Sequence, residues 1–379
     1  MKDADGETSA PLRIERLEAI PVELPLRRPL HMAVATVAVR TCIIARVTTD
    51  DGIIGIGESV VARYFTGESL ASATDLIDSV LAGALAGRDP RYLAALRSLM
   101  GRITVGNNAA RAAVEMALHD AAAQAAGVAL HEFYGGRRRP SVPTIWHVSG
   151  GTPAALAAEA AEAVSEGFEL VKIKVGSPDV DHDIAATLAV RVAVGDGVEL
   201  LPDANQGWDH DQALRYLRAV AEARPGFVEQ PLPRWDLMGM ARLNAASGVT
   251  LAADEGVFDA NGLRTALAVG AVGAVVAKLM KAAGLLGVRE VFEVADEAGI
   301  GVHFAGMAGQ SSIGAAHAAH LALAVPELRF GSGISPHYVT DDVVTERFLP
   351  VAGHLYPSDE PGLGVRIDED ALNHFRTDR

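Results

Sequence analysis

Residues 198–203 read Val-Glu-Leu-Leu-Pro-Asp, 226–229 read Gly-Phe-Val-Glu, 250–254 read Thr-Leu-Ala-Ala-Asp and 274–278 read Ala-Val-Val-Ala-Lys. Each is a short apolar run that ends on a charge. The terminal residues Asp203, Glu229, Asp254 and Lys278 lie 26, 25 and 24 positions apart. That interval is about one strand plus one helix with their turns. Repeated units of this length put the four charges at equivalent strand ends. In a parallel barrel, the C-terminal strand ends form the rim where active sites are built. One unit upstream, Leu170-Val-Lys-Ile-Lys174 ends the same way. Lys172 and Lys174 are two apart, so they share one face of their strand.

The alternation extends outward from these runs. Thr144–Val148, Gly301–Phe304 and Leu328–Gly331 complete a set of eight candidate strands, and helix-like stretches such as Pro153–Glu166 and Gly284–Ala298 lie between them. The strand count favours a (β/α) barrel over an open doubly wound sheet. Before residue 140 the pattern differs. Arg13–Pro25 alternates, Thr41–Thr49 is strongly β-prone, and Asp51-Gly52 followed by Ile53–Gly57 is a hairpin signal. Helical stretches Glu68–Leu81, Pro90–Met100 and Asn108–Ala126 follow, the last ended by Gly127. The expected division is an α+β domain over 1–140, the barrel over 141–340 and a tail over 341–379 that packs back on the first domain.

Composition narrows the function classes. With Lys+Arg 33 against Asp+Glu 48, the net charge is −15, which disfavours nucleic acid and anionic membrane surfaces as partners. The longest apolar run, Ala266–Ala277, is too short for a membrane span. Residues 1–10 carry no apolar export segment. The expectation is a cytoplasmic enzyme acting on a small molecule. Cys42 is the single cysteine, so no disulfide or Cys-cluster metal site arises, and it reads as a buried strand residue.

Three carboxylates converging on one rim repel one another unless a cation neutralises them. An all-oxygen set, Asp203, Glu229 and Asp254, suits Mg²⁺, with Mn²⁺ able to replace it, and disfavours zinc. Lys174 ends the second strand and Lys278 the sixth, roughly across the mouth. A lysine that is partly desolvated near another cation has its pKa lowered and can act as a base, with an opposing lysine as acid. A divalent ion would hold a substrate carboxylate and stabilise the enediolate formed when the α-proton leaves. Lys281 reads as a surface lysine in a helix-capping salt bridge. His317 and His320 read as packing on an alanine-rich helix. Gly52, Gly55 and Gly57 fit a hairpin rather than a dinucleotide loop.

Lys172-Ile-Lys174, Asp203-Ala-Asn205, Glu229-Gln-Pro231, Ala253-Asp254-Glu255 and Lys278-Leu-Met-Lys281 together resemble the enolase superfamily, in particular its muconate-lactonizing subgroup. The pairing of a Lys or His base with Mg²⁺ in that superfamily is general knowledge. The resemblance implies a modified TIM-like barrel capped by both chain ends. It implies metal ligands Asp203, Glu229 and Asp254, acid/base residues Lys174 and Lys278, and Lys172 beside the substrate carboxylate. It also implies a homo-oligomer. The His base of the mandelate-racemase branch is not matched, because His303 lies inside Gly-Val-His-Phe. Trp146 with Ser149-Gly150 resembles the cycloisomerases. Gln310 stands where their seventh-strand segment usually has a carboxylate. Phe330-Gly331-Ser332-Gly333 lacks the Asp-x-Asp of dipeptide epimerases. Trp146, Tyr64, Gln310 and Ser332 are the implied substrate contacts. The activity so implied is muconate-cycloisomerase-like. A racemase or epimerase of N-acyl amino acids or dipeptides, or a dehydratase, is the alternative, and a non-catalytic anion-binding barrel is the remote one.

Overall fold

The computed structural model describes residues 12–379; the stretch 1–10, expected to carry no export segment, lies outside the described residues. Eight parallel strands pair in chain order: Ile145–Val148, Leu170–Lys174, Glu199–Asp203, Val228–Glu229, Leu251–Ala253, Ala274–Ala277, Gly301–Ala305 and Ser332–Gly333. Neighbouring residues on a strand point to opposite sides. Leu170, Leu201, Phe227, Ala252 and Val276 therefore gather into one apolar plug inside the barrel. Val171, Leu200, Val228, Leu251 and Val275 face outward into the shell shared with the helices. The register then sets Lys174 beside Asp203 and Asp203 beside Glu229, above the plug. Asp254 and Lys278 come one residue past the ends of the fifth and sixth strands.

The eighth strand departs from expectation. Leu328–Gly331 is a turn, closed by Gly331 N–H donating to Leu328 O at 3.0 Å, and the strand is Ser332–Gly333. Gly331 has φ +60°, in the left-handed region that ends an extended run. No backbone ladder joins the eighth strand to the first. Side chains bridge that seam instead: the Ser332 hydroxyl donates to Pro143 O at 2.8 Å, and the Thr144 hydroxyl donates to Ile334 O.

Residues 12–135 build an antiparallel sheet, Ile14–His31, Thr36–Thr49 and Ile54–Val60, covered by helix Asn108–Ala125. Small residues set that contact. A Cβ on Gly57 would fall on the carbonyl of Ala113, so only glycine lets the strand approach the helix this closely. Cys42 is buried in this sheet. The tail touches it through a bridge from Arg376 to Val22, Val339 just before the tail bridges to Leu26, and His354–Leu355 pairs with Val142–Pro143.

Buried polar groups fasten the cap to the barrel. Glu115, on the cap helix, accepts from the N–H groups of Leu285 and Leu286 at 2.7 and 3.0 Å. It thereby satisfies the open N-terminus of helix Leu285–Glu297. Arg40 donates to Ala308 O through Nε at 2.9 Å and Nη2 at 2.6 Å. Glu58 accepts from Ser311 N–H at 3.0 Å and from the Ser311 hydroxyl, at the start of helix Ser312–Ala324. Burial pushes the Glu58 carboxyl up to about 7, from an ordinary 4.5.

That shift has a defined sign. Between about 4.5 and 7, folded Glu58 keeps its proton while the unfolded chain has lost it. Stability therefore falls as pH rises through this window. Urea titrations of wild type and Glu58→Gln at several pH values should show a steeper decline for wild type. The difference should reach roughly 2–4 kcal/mol by pH 8. Parallel curves would contradict it.

Candidate active site

The rim holds a dense set of buried charges. Lys172 Nζ donates to Glu229 Oε2 at 2.5 Å and to Asp203 Oδ2 at 3.5 Å. Lys174 Nζ donates to Asp203 Oδ2 at 2.5 Å and to Asn205 Oδ1 at 2.9 Å. Lys278 donates to Asp254 Oδ2. Asn205 Nδ2 in turn donates to Glu255 Oε1 at 3.2 Å, which draws a fourth carboxylate into the set. Gln230 Oε1 accepts from the Asp254 and Gly256 N–H groups at 3.0 Å each, fixing the loop that presents Asp254 and Glu255.

Electrostatics follow from these contacts. Burial opposes ionisation of Asp203, but the ammoniums of Lys174 and Lys172 hold its carboxyl far below the usual range. Asp254 is held low in the same way by Lys278 and Lys281. Glu229 goes the other way, pushed to about 8 by burial and by the charge of Asp203. Glu255 is pushed to about 7 by burial and Asp254. The lowered lysine pKa expected from the sequence does not occur at Lys278. Burial would lower it, but Asp254, Glu229 and Glu255 outweigh burial and raise it. The expectation weighed the neighbouring cations above the carboxylates of the same rim.

The other buried lysine overturns an expectation. Lys281 is 1% exposed, not a surface residue. Its Nζ donates to the carbonyls of Asp254 at 2.8 Å and Val276 at 2.6 Å, and stands 2.8 Å from Asp254 Oδ1. Burial lowers its pKa. The turn after Lys278 folds it back under the rim, as Lys281 N–H donates to Lys278 O.

The charged set opens on a cavity between rim and cap. Lys172, Lys174, Asp203, Asn205, Glu255 and Lys278 line it from the barrel. Leu30, Met32, Val34, Arg40, Tyr64 and Phe65 line it from the cap. Phe65 sets its ring 4.6 Å from Lys278 Nζ, a cation–π contact. A larger hollow beside Arg289 and Arg329, near the start of the seventh strand, contains none of these groups.

The expected substrate contacts divide. Tyr64 reaches the cavity. Gln310 lines an adjoining hollow together with Lys278 and Glu58, and its Oε1 accepts from Met307 N–H at 3.2 Å. Trp146 faces away from the cavity. Its indole Nε1 donates to Glu159 at 2.8 Å and its ring stacks on His337 at 5.3 Å. Strand alternation explains this: the neighbour, His147, is the inward residue and lines the cavity. Ser332 is spent on the seam to Pro143. His303 is fully buried, and Nδ1 donates to Phe330 O at 2.9 Å; burial holds it near 3. His317 and His320 are buried in their helix, bonded to the carbonyls of Ile56 and Leu363. Sequence reasoning missed Arg40 and His147, and quoted Asn205 and Glu255 in its motifs without giving them a role. The position of His147 opposite Lys172 in the ladder is the signal that could have found it.

Metal chemistry fits this donor set. Glu229 Oε1 and Glu255 Oε2 are buried without a hydrogen-bond partner. Among the described residues no three acidic or His side chains are already gathered into a cage, because lysine ammoniums are paired to the carboxylates.

A fold model for the enolase C-terminal domain matches residues 155–371, and one for the mandelate racemase/muconate lactonizing enzyme N-terminal domain matches residues 16–135. The chain belongs to this family of the enolase superfamily and is an enzyme; the family is metal-dependent. Among its relatives, a chloromuconate cycloisomerase of Cupriavidus necator is 32% identical over 368 residues, 96% of this chain and 99% of that one. The L-Ala-D/L-Glu epimerase of Bacillus subtilis is 37% identical over 249 residues, 65% of this chain and 68% of that one. The muconate lactonizing enzyme of Pseudomonas fluorescens, solved with muconolactone, superposes with a TM-score of 0.93 at 32% identity, covering 97% of this chain and 100% of that one. Among the described residues no helix is long and apolar enough to cross a membrane.

Lys281 supplies a test of this packing. Lys281→Met removes one donor from the buried carbonyls of Asp254 and Val276 and breaks the ion pair to Asp254 Oδ1. Thermal or urea unfolding should show a loss of about 2–4 kcal/mol. A surface lysine would show a change within about 0.5 kcal/mol.

Proposed function

We propose that this enzyme moves a proton α to a substrate carboxylate, most closely in the manner of a muconate cycloisomerase. The observation that carries this is the joint lining of one cavity by Lys174 and Lys278, from the second and sixth strands of eight. Asp203, Glu229 and Asp254 would hold Mg²⁺, or Mn²⁺ in its place. Bound there, the ion supplies Lewis-acid stabilisation of the enediolate. Lys172 places positive charge beside the substrate carboxylate. Lys174 and Lys278 approach the reacting carbon from opposite sides, and one delivers or removes the proton while the other is chiefly electrostatic. Phe65 lies against Lys278 and shields that side of the cavity.

The near full-length likeness to cycloisomerases supports this choice. A lysine on each side also suits racemisation or epimerisation, and the Bacillus subtilis relative keeps that reading second. The dipeptide form is the weaker version, since Ser332-Gly333 offers no carboxylate for a substrate ammonium. We place the protein in the cytoplasm as a homo-oligomer, on the resemblance and on its alanine-rich helices; light scattering tests the assembly.

Chelation should abolish turnover, and Mg²⁺ or Mn²⁺ should restore it. Full activity after exhaustive metal removal would overturn the metal assignment.

Lys174→Ala and Lys278→Ala should each lower turnover by roughly 10²–10⁴-fold. In a cycloisomerase the two losses are unequal in one direction of reaction. In a racemase each variant loses deuterium exchange from one stereoisomer and keeps it from the other. Unchanged turnover in both variants would exclude the lysines as proton carriers.

A further inference from the structure

His147 enters the cavity from the first strand, opposite Lys172 in the ladder. Both stand one inward place above the plug, since Ile145 and Leu170, two residues earlier on their strands, belong to it. The other edge of the first strand is the seam, where no strand is laddered to it. At His147 the Tyr338 hydroxyl takes the place of a ladder. It accepts from His147 N–H at 2.7 Å and donates to His147 O at 3.0 Å. The Tyr338 ring also meets the imidazole nearly at a right angle, with centroids 5.3 Å apart. Main chain and ring are thus fixed together.

The residue is 6% exposed. Nε2 faces the Ser335 hydroxyl at 3.5 Å, and Nδ1 is buried without a hydrogen-bond partner. Burial, and after it the ammoniums of Lys174 and Lys172, hold the ring well below its ordinary pKa of 6.5, so it is neutral. A neutral imidazole has one N–H to donate. With the Ser335 hydroxyl donating to Nε2, that hydrogen is on Nδ1. A buried donor without an acceptor is costly. The wall of the cavity around it offers no other polar side chain. The first, eighth and seventh strands and the loop after the seventh line that arc with His147, Gly333, Ala305, Gly306, Met307 and Ala308.

We infer that His147 is a catalytic residue, which donates a hydrogen bond from Nδ1 to the substrate carboxylate oxygen beside Lys172. As the α-proton passes to the amine of one lysine, the C–H electron pair forms a double bond to the carboxyl carbon. A carboxyl π pair moves onto oxygen, where negative charge builds. His147 keeps its own proton throughout. A donor already in place strengthens as that charge develops, so it favours the transition state over the bound substrate. Being neutral, the ring does this without adding a third cation beside Lys172 and Lys174. The inference rests on the proposed function for the proton transfer and for the place of the carboxylate at Lys172.

Deuterium exchange and binding, measured together, test it. The Mg²⁺-loaded enzyme is incubated in D₂O with muconolactone, N-acetylalanine and an alanyl dipeptide, and α-exchange is followed by NMR. For the compound that wild type exchanges fastest, His147→Leu should be slower by roughly 10²–10³-fold. Its calorimetric affinity for the same compound should change by less than about threefold, because the bond gains its strength only as charge develops. Asn brings an amide N–H close to the position of Nδ1, so His147→Asn should recover at least about tenfold of the lost rate. Unchanged exchange in His147→Leu would overturn the inference, as would equal losses in the two variants or a loss carried wholly by affinity. A fall in Mn²⁺ affinity that accounts for the lost rate would overturn it too, by making His147 a support of the rim. Failure of the proposed function appears separately, as no exchange by wild type with any of the three compounds, and the inference falls with it.

Discussion

Mutual neutralisation of buried charge is the constraint on which the rim depends. Asp203, Glu229, Asp254 and Glu255 are all buried, and so are Lys172, Lys278 and Lys281. Neither set is tolerable alone in a medium of low polarity. The plug of Leu170, Leu201, Phe227 and Val276 beneath them keeps water out from below. The cap closes the space from above. The same dry enclosure that makes the charges costly makes each of them strong, which is the condition for moving a proton from carbon.

Much of this is readable from spacing. Intervals of 26, 25 and 24 residues mark strand ends because each βα unit has a nearly constant length. An apolar run closing on a charge at each interval is the trace of a buried strand that reaches a polar rim. At the first strand, alternation is a better guide than side-chain size. Trp146 stands out as a large aromatic, yet a strand offers its inner face to every second residue, and His147 holds that place. Lys281 is invisible in the sequence for a different reason. Its burial comes from a tight turn after the sixth strand, and turns leave weaker traces in sequence than strands do. Arg40 has no pattern to betray it at all. It lies on the middle strand of the cap sheet, and what matters about it is a carbonyl 268 positions away.

The cap and barrel are joined by directional contacts rather than by area alone. Glu115 and Glu58 each satisfy the start of a barrel helix from the cap side. Arg40 holds the carbonyl of Ala308 in the segment after the seventh strand. The alanine-rich helix 108–125 and the glycines opposite it allow the cap sheet and helix to lie close. On the barrel side Gly284, where an added Cβ would meet the Glu115 carboxyl, leaves room for that side chain to reach the barrel helix. Fold and site thus share residues, and the cap loop that carries Tyr64 and Phe65 inherits its position from them.

The unladdered seam between the first and eighth strands has its own consequence. Every other adjacent pair in the barrel is stitched by main-chain hydrogen bonds, and this pair is held by the hydroxyls of Thr144 and Ser332. Main-chain amides along the seam are thereby the barrel's easiest to release. In exchange with heavy water they form the first opening unit, and the strands bearing Asp203, Glu229 and Asp254, on the far side of the cylinder, form the last. The ring is sprung like a cuff, with its gap set away from the three carboxylates.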